Sequence, residues 1–119
     1  MTPKSRLIKK CDVLFSKRIR ERDIRCQKCG AKATQVSHVF SRSNHSLRFD
    51  MLNGLGMDYF CHIYWWHRNP AEAITWFQKK FPEHWKYLVA KKKLPLKSLG
   101  IEHYKKVYQK LNENNLPKL

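Results

Sequence analysis

The side chains able to hold a metal or move a proton are gathered in one stretch of this chain. Cys26-Gln27-Lys28-Cys29-Gly30 sets two thiols at knuckle spacing, and Gly30 permits the backbone turn that a knuckle needs. Cys61 follows beside His62, and four of the six histidines, His38, His45, His62 and His67, fall between residues 33 and 69. Thiolate and imidazole are ligands for zinc and its neighbours. An imidazole titrating near about pH 6.5 can also act as a base at neutral pH.

The charge lies elsewhere. The 119 residues carry a formal net charge of +16, divided as +8 over 1–32, +1 over 33–69 and +7 over 70–119. Two basic arms thus flank a nearly neutral centre, which points to a polyanionic partner. A hydrophobic content of 42% with 15 aromatic residues excludes a disordered basic tail. No apolar run is long enough to span a bilayer, so no membrane association is expected. The basic start, Met1 to Arg6, is not followed by the apolar stretch of a signal peptide. A reducing, cytoplasmic compartment is therefore expected, in which cysteines read first as metal ligands or core residues and second as disulfides.

The elements that must position this centre are set by spacing. Leu7, Ile8, Cys11, Leu14, Phe15 and Ile19 predict a helix over 5–20 with one buried stripe, Cys11 within it. Residues 34–40 read as a short strand, Ser41 to Ser46 as a polar loop, and Asn53-Gly54-Leu55-Gly56 as a turn or irregular second strand ending near Phe60. Residues 61–67 predict a short helix stopping at Asn69-Pro70. Asn69 as N-cap, Pro70 at the first position and Glu72 as capping partner then open the next helix. Phe81-Pro82-Glu83 starts another, running into Lys91-Lys92-Lys93. Leu94-Pro95-Leu96 breaks the chain, Ser98 caps a final helix with Ile101, Tyr104, Val107, Tyr108 and Leu111 as its stripe, and the end from Asn112 frays. Ten of the 15 aromatics lie between Tyr59 and Tyr87. Such a run reads as core or as a base-stacking platform; core is the expectation, with Trp66 and His67 exposed near the site.

The ordered set of Phe15-Ser16, Ile19-Arg20, Arg22-Asp23, the Cys26/Cys29 knuckle, Ser37-His38 with Ser41-Arg42, Leu47 to Asp50 with Asn53, and Cys61-His62 resembles the HNH endonucleases. The likeness, over residues 10–90, is to the phage-type branch that includes NinG-like recombination nucleases. It implies an α+β fold in one domain: a basic N-terminal helix (1–24), a ββα-metal core with a zinc-knuckle-like site (25–68) and C-terminal helices (69–119). It implies DNA as partner, with other phage DNA-processing proteins as further partners, in a monomer or homodimer. The compartment would be the bacterial host cytoplasm.

For the chemistry, the resemblance implies His38 as general base on the first strand and His62 as ligand of one divalent ion, Mg²⁺, Mn²⁺ or similar. Asn53 would tie the loop between the strands. Arg42 and Arg48 could clamp phosphate oxygens, because guanidinium binds them bidentately. Two positions depart from the pattern. Ser37 stands where these nucleases commonly carry a metal-binding Asp, so His67, Asp50 and His45 become reserve ligands. His67, five residues after His62, would fall about 140° away on a regular helix and needs that helix to distort. Asp58 stands where a fourth zinc cysteine would fall, implying a structural zinc held by Cys26, Cys29, Asp58 and Cys61. The rival expectations are a non-catalytic DNA-binding or packaging accessory protein on the same scaffold, and an RNA-binding protein.

Overall fold

Thr2 opens the first helix: its Oγ1 accepts a hydrogen bond from Ser5 N at 3.0 Å, and Pro3 takes the first helical position. In the computed structural model, which describes residues 1–92 and 99–113, this helix (α1) spans Pro3–Arg22. Cys11, Phe15 and Ile19 are buried along one side, as their spacing predicts. They pack on α4, Ile101–Asn112, through Leu111 and Val107. Arg18 adds a polar tie, donating from Nε to Leu111 O at 2.7 Å.

Two strands come after α1, β1 (Gln35–His38) and β2 (Gly54–Met57), paired antiparallel with Ser37 opposite Leu55 and His38 opposite Gly54. A Cβ on Gly54 would come within 2.9 Å of Phe15, and one on Gly56 within 2.6 Å of Asp23. Glycine at both positions therefore lets α1 lie directly on β2. The buried Arg22–Asp23 pair clamps the contact: Asp23 Oδ2 accepts from Gly56 N at 2.9 Å, while Arg22 donates to the carbonyls of Met51 and Gly54.

Both strands are shorter than predicted. β2 ends at Met57 rather than near Phe60 because Asp58 starts a helix instead. Its Oδ1 accepts from Cys61 N and its carbonyl from His62 N, each at 3.0 Å. The helix over Cys61–Trp66 is wound wider than an α-helix, His67 N reaching five residues back to His62 O at 3.1 Å. Helices α2 (Pro70–Lys80) and α3 (Pro82–Lys92) then close over the hairpin. Asn69 makes no side-chain cap, and Glu72 accepts from Trp65 Nε1 at 3.3 Å rather than capping the helix. The predicted break at Leu94-Pro95-Leu96, the Ser98 cap and the end beyond residue 113 lie outside the described residues.

The result is a small α+β domain whose hairpin sits between two apolar clusters. One joins α1 and α4; the other unites Leu55, Met57, Cys61, Trp66, Phe77 and Leu88 with the flanking aromatics. All four tryptophans are buried or half-buried. Trp66, expected at the surface, is 7% exposed, because its indole packs into this second cluster and donates to His38 O at 3.2 Å. Among the described residues, no helix is long and apolar enough to cross a membrane.

Candidate functional site

Two groups of ligand-type side chains flank the β1–β2 hairpin. The first is the knuckle. Cys26 N donates to Ala31 O at 2.6 Å and Gly30 N to Cys26 O at 2.9 Å, with Gly30 at φ +82°, a conformation that favours glycine. This turn aims Cys26 and Cys29 at Asp58 and Cys61, and the ligand atoms of all four lie within 4.8 Å of one another. Zn–S bonds of about 2.3 Å would place tetrahedral sulfurs about 3.8 Å apart, so a small contraction makes the site. Cys26, Cys29, Asp58 and Cys61 can thus hold a metal such as zinc. None of the four cysteines is in a disulfide.

The second group borders a cavity of about 920 Å³ along the edge of β1 that β2 does not cover. One wall is α1, contributing Asp12, Phe15, Ser16 and Arg20. The other is the 61–66 helix with the residue directly after it, contributing His62, Trp66 and His67. His38 and Arg42 are also among the lining residues, with the β1 backbone between the two walls.

His38 stacks on Phe15, ring centroids 5.3 Å apart at 23°. Its Nε2 is buried without a hydrogen-bond partner. Burial, reinforced by the charge of Arg42, pushes its pKa from 6.5 down to about 4, so the ring is neutral at neutral pH. An unpartnered ring nitrogen costs on the order of 1–3 kcal/mol, which an apolar ring at the same place would avoid.

On the opposite wall, the wide winding of the 61–66 helix gathers the two histidines that a regular helix would separate. The Nε2 atoms of His62 and His67 are 3.2 Å apart. Two nitrogens bound to one ion at about 2.0–2.1 Å would lie about 3.0–3.4 Å apart, so the pair fits a divalent ion. Burial and the neighbouring His67 lower the pKa of His62, favouring the neutral, ligating form. Ser37, fully buried, places its Oγ 2.7 Å from His62 Nδ1 and donates to Met57 Sδ at 3.2 Å. With the hydroxyl proton on the sulfur, Ser37 accepts from Nδ1–H and leaves His62 Nε2 free to bind.

The remaining predicted residues divide. Asn53 is fully buried in the loop between the strands, donating to the carbonyls of Phe40 (3.0 Å) and Leu47 (3.1 Å) and accepting from Phe40 N at 2.8 Å. It ties that loop shut. Arg48 is not among the cavity's lining residues: Asp12 holds it bidentately at 3.0 and 2.6 Å. Asp50 is not brought to His62 either. It caps the turn before β2 and accepts from Tyr87 and Lys91 at 2.6 and 2.7 Å, beside a second cavity of about 520 Å³. His45 faces that second cavity, with Nδ1 3.2 Å from Tyr104 Oη.

Asp12 has no place in the motif set and Arg20 enters it without a role, although Asp12, Ser16 and Arg20 recur every four residues and so mark a polar stripe beside the apolar one. No family of known proteins, no curated protein and no solved structure matches the chain.

Proposed function

We propose that this chain is a metal-dependent DNA endonuclease on an HNH-like ββα core, hydrolysing phosphodiester bonds to nick or cut DNA. The observation that carries this reading is the cavity at the β1 edge, where His38, a paired His62–His67 and two guanidinium groups meet. A divalent ion held by His62 and His67, with water and phosphate oxygens completing its shell, would supply Lewis-acid help to the scissile phosphate. The chain's own residues do the rest. His38 is neutral, and its buried Nε2 would take the proton of a water admitted to the cavity; that water's oxygen would displace the ester oxygen from phosphorus, and the ester oxygen leaves with a proton from solvent. A phosphate brought against the ring raises its pKa, since nearby negative charge favours imidazolium. Arg42 and Arg20 hold the phosphate oxygens, Ser37 orients His62, and Asn53 keeps the 39–53 loop from drifting away from His38.

A nicking assay on supercoiled plasmid with Mg²⁺, Mn²⁺ and related ions tests this. Cutting that EDTA and His38→Ala both abolish is expected; cutting that persists in His38→Ala overturns the assignment of the base. A second reading, a non-catalytic DNA-binding accessory protein, is favoured by the engagement of Asp50 with Lys91, which leaves two histidine ligands for the ion, and of Arg48 with Asp12, which removes one phosphate clamp. Salt-dependent DNA binding without cleavage in any metal would decide for it.

A further inference from the structure

Tyr59, Phe60 and Tyr64 stand out from the surface at 56%, 65% and 41% exposure, while all four tryptophans are covered at least in part. The three rings form one patch, with Phe60 and Tyr64 centroids 5.3 Å apart and Tyr59 and Tyr64 6.3 Å apart. The guanidinium of Arg68 lies 4.8 Å over Tyr64. The patch belongs to the same short segment that carries His62 and His67.

We propose that Tyr59, Phe60 and Tyr64 are a stacking platform for the unpaired bases of a single-stranded DNA segment. Its role as a substrate determinant rests on the nuclease reading above; its binding role does not. Water-exposed rings gain from covering, and a nucleobase offers a flat face to each of them whatever its identity. The strand's phosphates answer Arg68 and the chain's net charge of +16. A second copy of this chain, the other occupant to weigh, would bring +16 against +16. On the nuclease reading, the substrate class is DNA that carries a single-stranded stretch, rather than continuous duplex.

The test is fluorescence anisotropy in EDTA, with labelled oligothymidine of about 15 nucleotides and a duplex of equal length. The triple variant Tyr59→Ala/Phe60→Ala/Tyr64→Ala is expected to lose about tenfold or more in affinity for the single strand and less than about twofold for the duplex. Tyr59→Phe/Tyr64→Phe keeps both affinities, since the rings remain. Equal losses on both DNAs, or none on the single strand, overturn the proposal. So does a wild-type dimer in sedimentation that the triple variant dissociates. If that variant fails to fold by circular dichroism, the single variants Phe60→Ala and Tyr59→Ala carry the test, each expected to lose about threefold on the single strand only. A wild type that cuts nothing in any metal, yet shows the single-strand difference, sinks the nuclease reading and leaves the platform standing.

Discussion

The knuckle and the histidine cavity draw on the same ten residues in opposite ways. Asp58 and Cys61 turn toward Cys26 and Cys29, while His62 and His67 turn toward the uncovered edge of β1. At the knuckle four ligands already surround one point, the complement of a closed structural zinc site with no place for water. At the cavity two imidazole nitrogens face about 920 Å³ of open space, which would leave an ion bound there with open coordination positions. Ligand number alone thus separates a cluster that could close around an ion from a pair that would leave one open. Residues adjacent in sequence, Cys61 and His62, fall on either side of that division.

The sharpest way to break this comparison is Cys26→Ser. If the knuckle is a staple, zinc content falls from one ion per chain to none, and the melting temperature drops by about 10 °C or more, because structural zinc contributes on the order of 10 kcal/mol. A variant that loses zinc and melts unchanged would erase the contrast. His38→Ala should act in the other direction, lowering the nicking rate about 10²–10⁴-fold while zinc content stays close to wild type. Ser37→Ala is expected to weaken Mn²⁺ or Co²⁺ binding at His62 and His67 about tenfold or more, with knuckle zinc intact. Isothermal titration on zinc-loaded protein reads that difference.

Acid provides a smaller test of the cavity. The pKa of His38 lies well below its ordinary value because of burial and Arg42, so the unfolded chain takes up a proton as pH falls through 6.5, and the folded chain does so only near 4. The stability tied to His38 is therefore whole above about pH 7 and is lost as pH falls from 6.5 to 4. Between pH 7.5 and 5 this amounts to about 2 kcal/mol. The unfolding free energy of wild type relative to His38→Gln, read from urea titrations, should fall by that amount on acidification. Smallest of all, Arg42→Ala should flatten the salt dependence of DNA binding by about one counterion while cutting remains metal-dependent.

How much of the molecule was legible in its sequence depends on the range of each interaction. The α1 stripe of Cys11, Phe15 and Ile19, the hairpin and the helix from Pro82 depend on spacing over a few residues, and they lie close to where spacing puts them. Cys26 and Cys29 were legible from their knuckle spacing, whereas Asp58 and Cys61 joined them only through the resemblance, whose second ligand pair their own x2 spacing matches. The pairing of Arg48 with Asp12 spans 36 residues and that of Asp50 with Lys91 spans 41, so no local pattern announces either. Asn69 and Glu72 have the types of a capping pair, yet the indole of Trp65 takes the Glu72 carboxylate. The burial of Trp66 and the Ser37–His62 hydrogen bond both depend on the wide winding of residues 61–66, which composition does not encode. That winding is also what brings His67 beside His62.

A strand with one unpaired side is ordinarily an invitation to other chains, since its free N–H and C=O groups will accept any extended segment. In this molecule β1 is four residues long and pairs only with β2 among the described residues, and the space along its open side is bordered by Arg20 and Arg42. Short length and fixed positive charge are what keep such an edge from recruiting copies of itself. The arginines proposed to meet phosphate therefore also guard the edge against self-association, and replacing both with neutral residues exposes a β-aggregation surface whether or not the chain grips DNA.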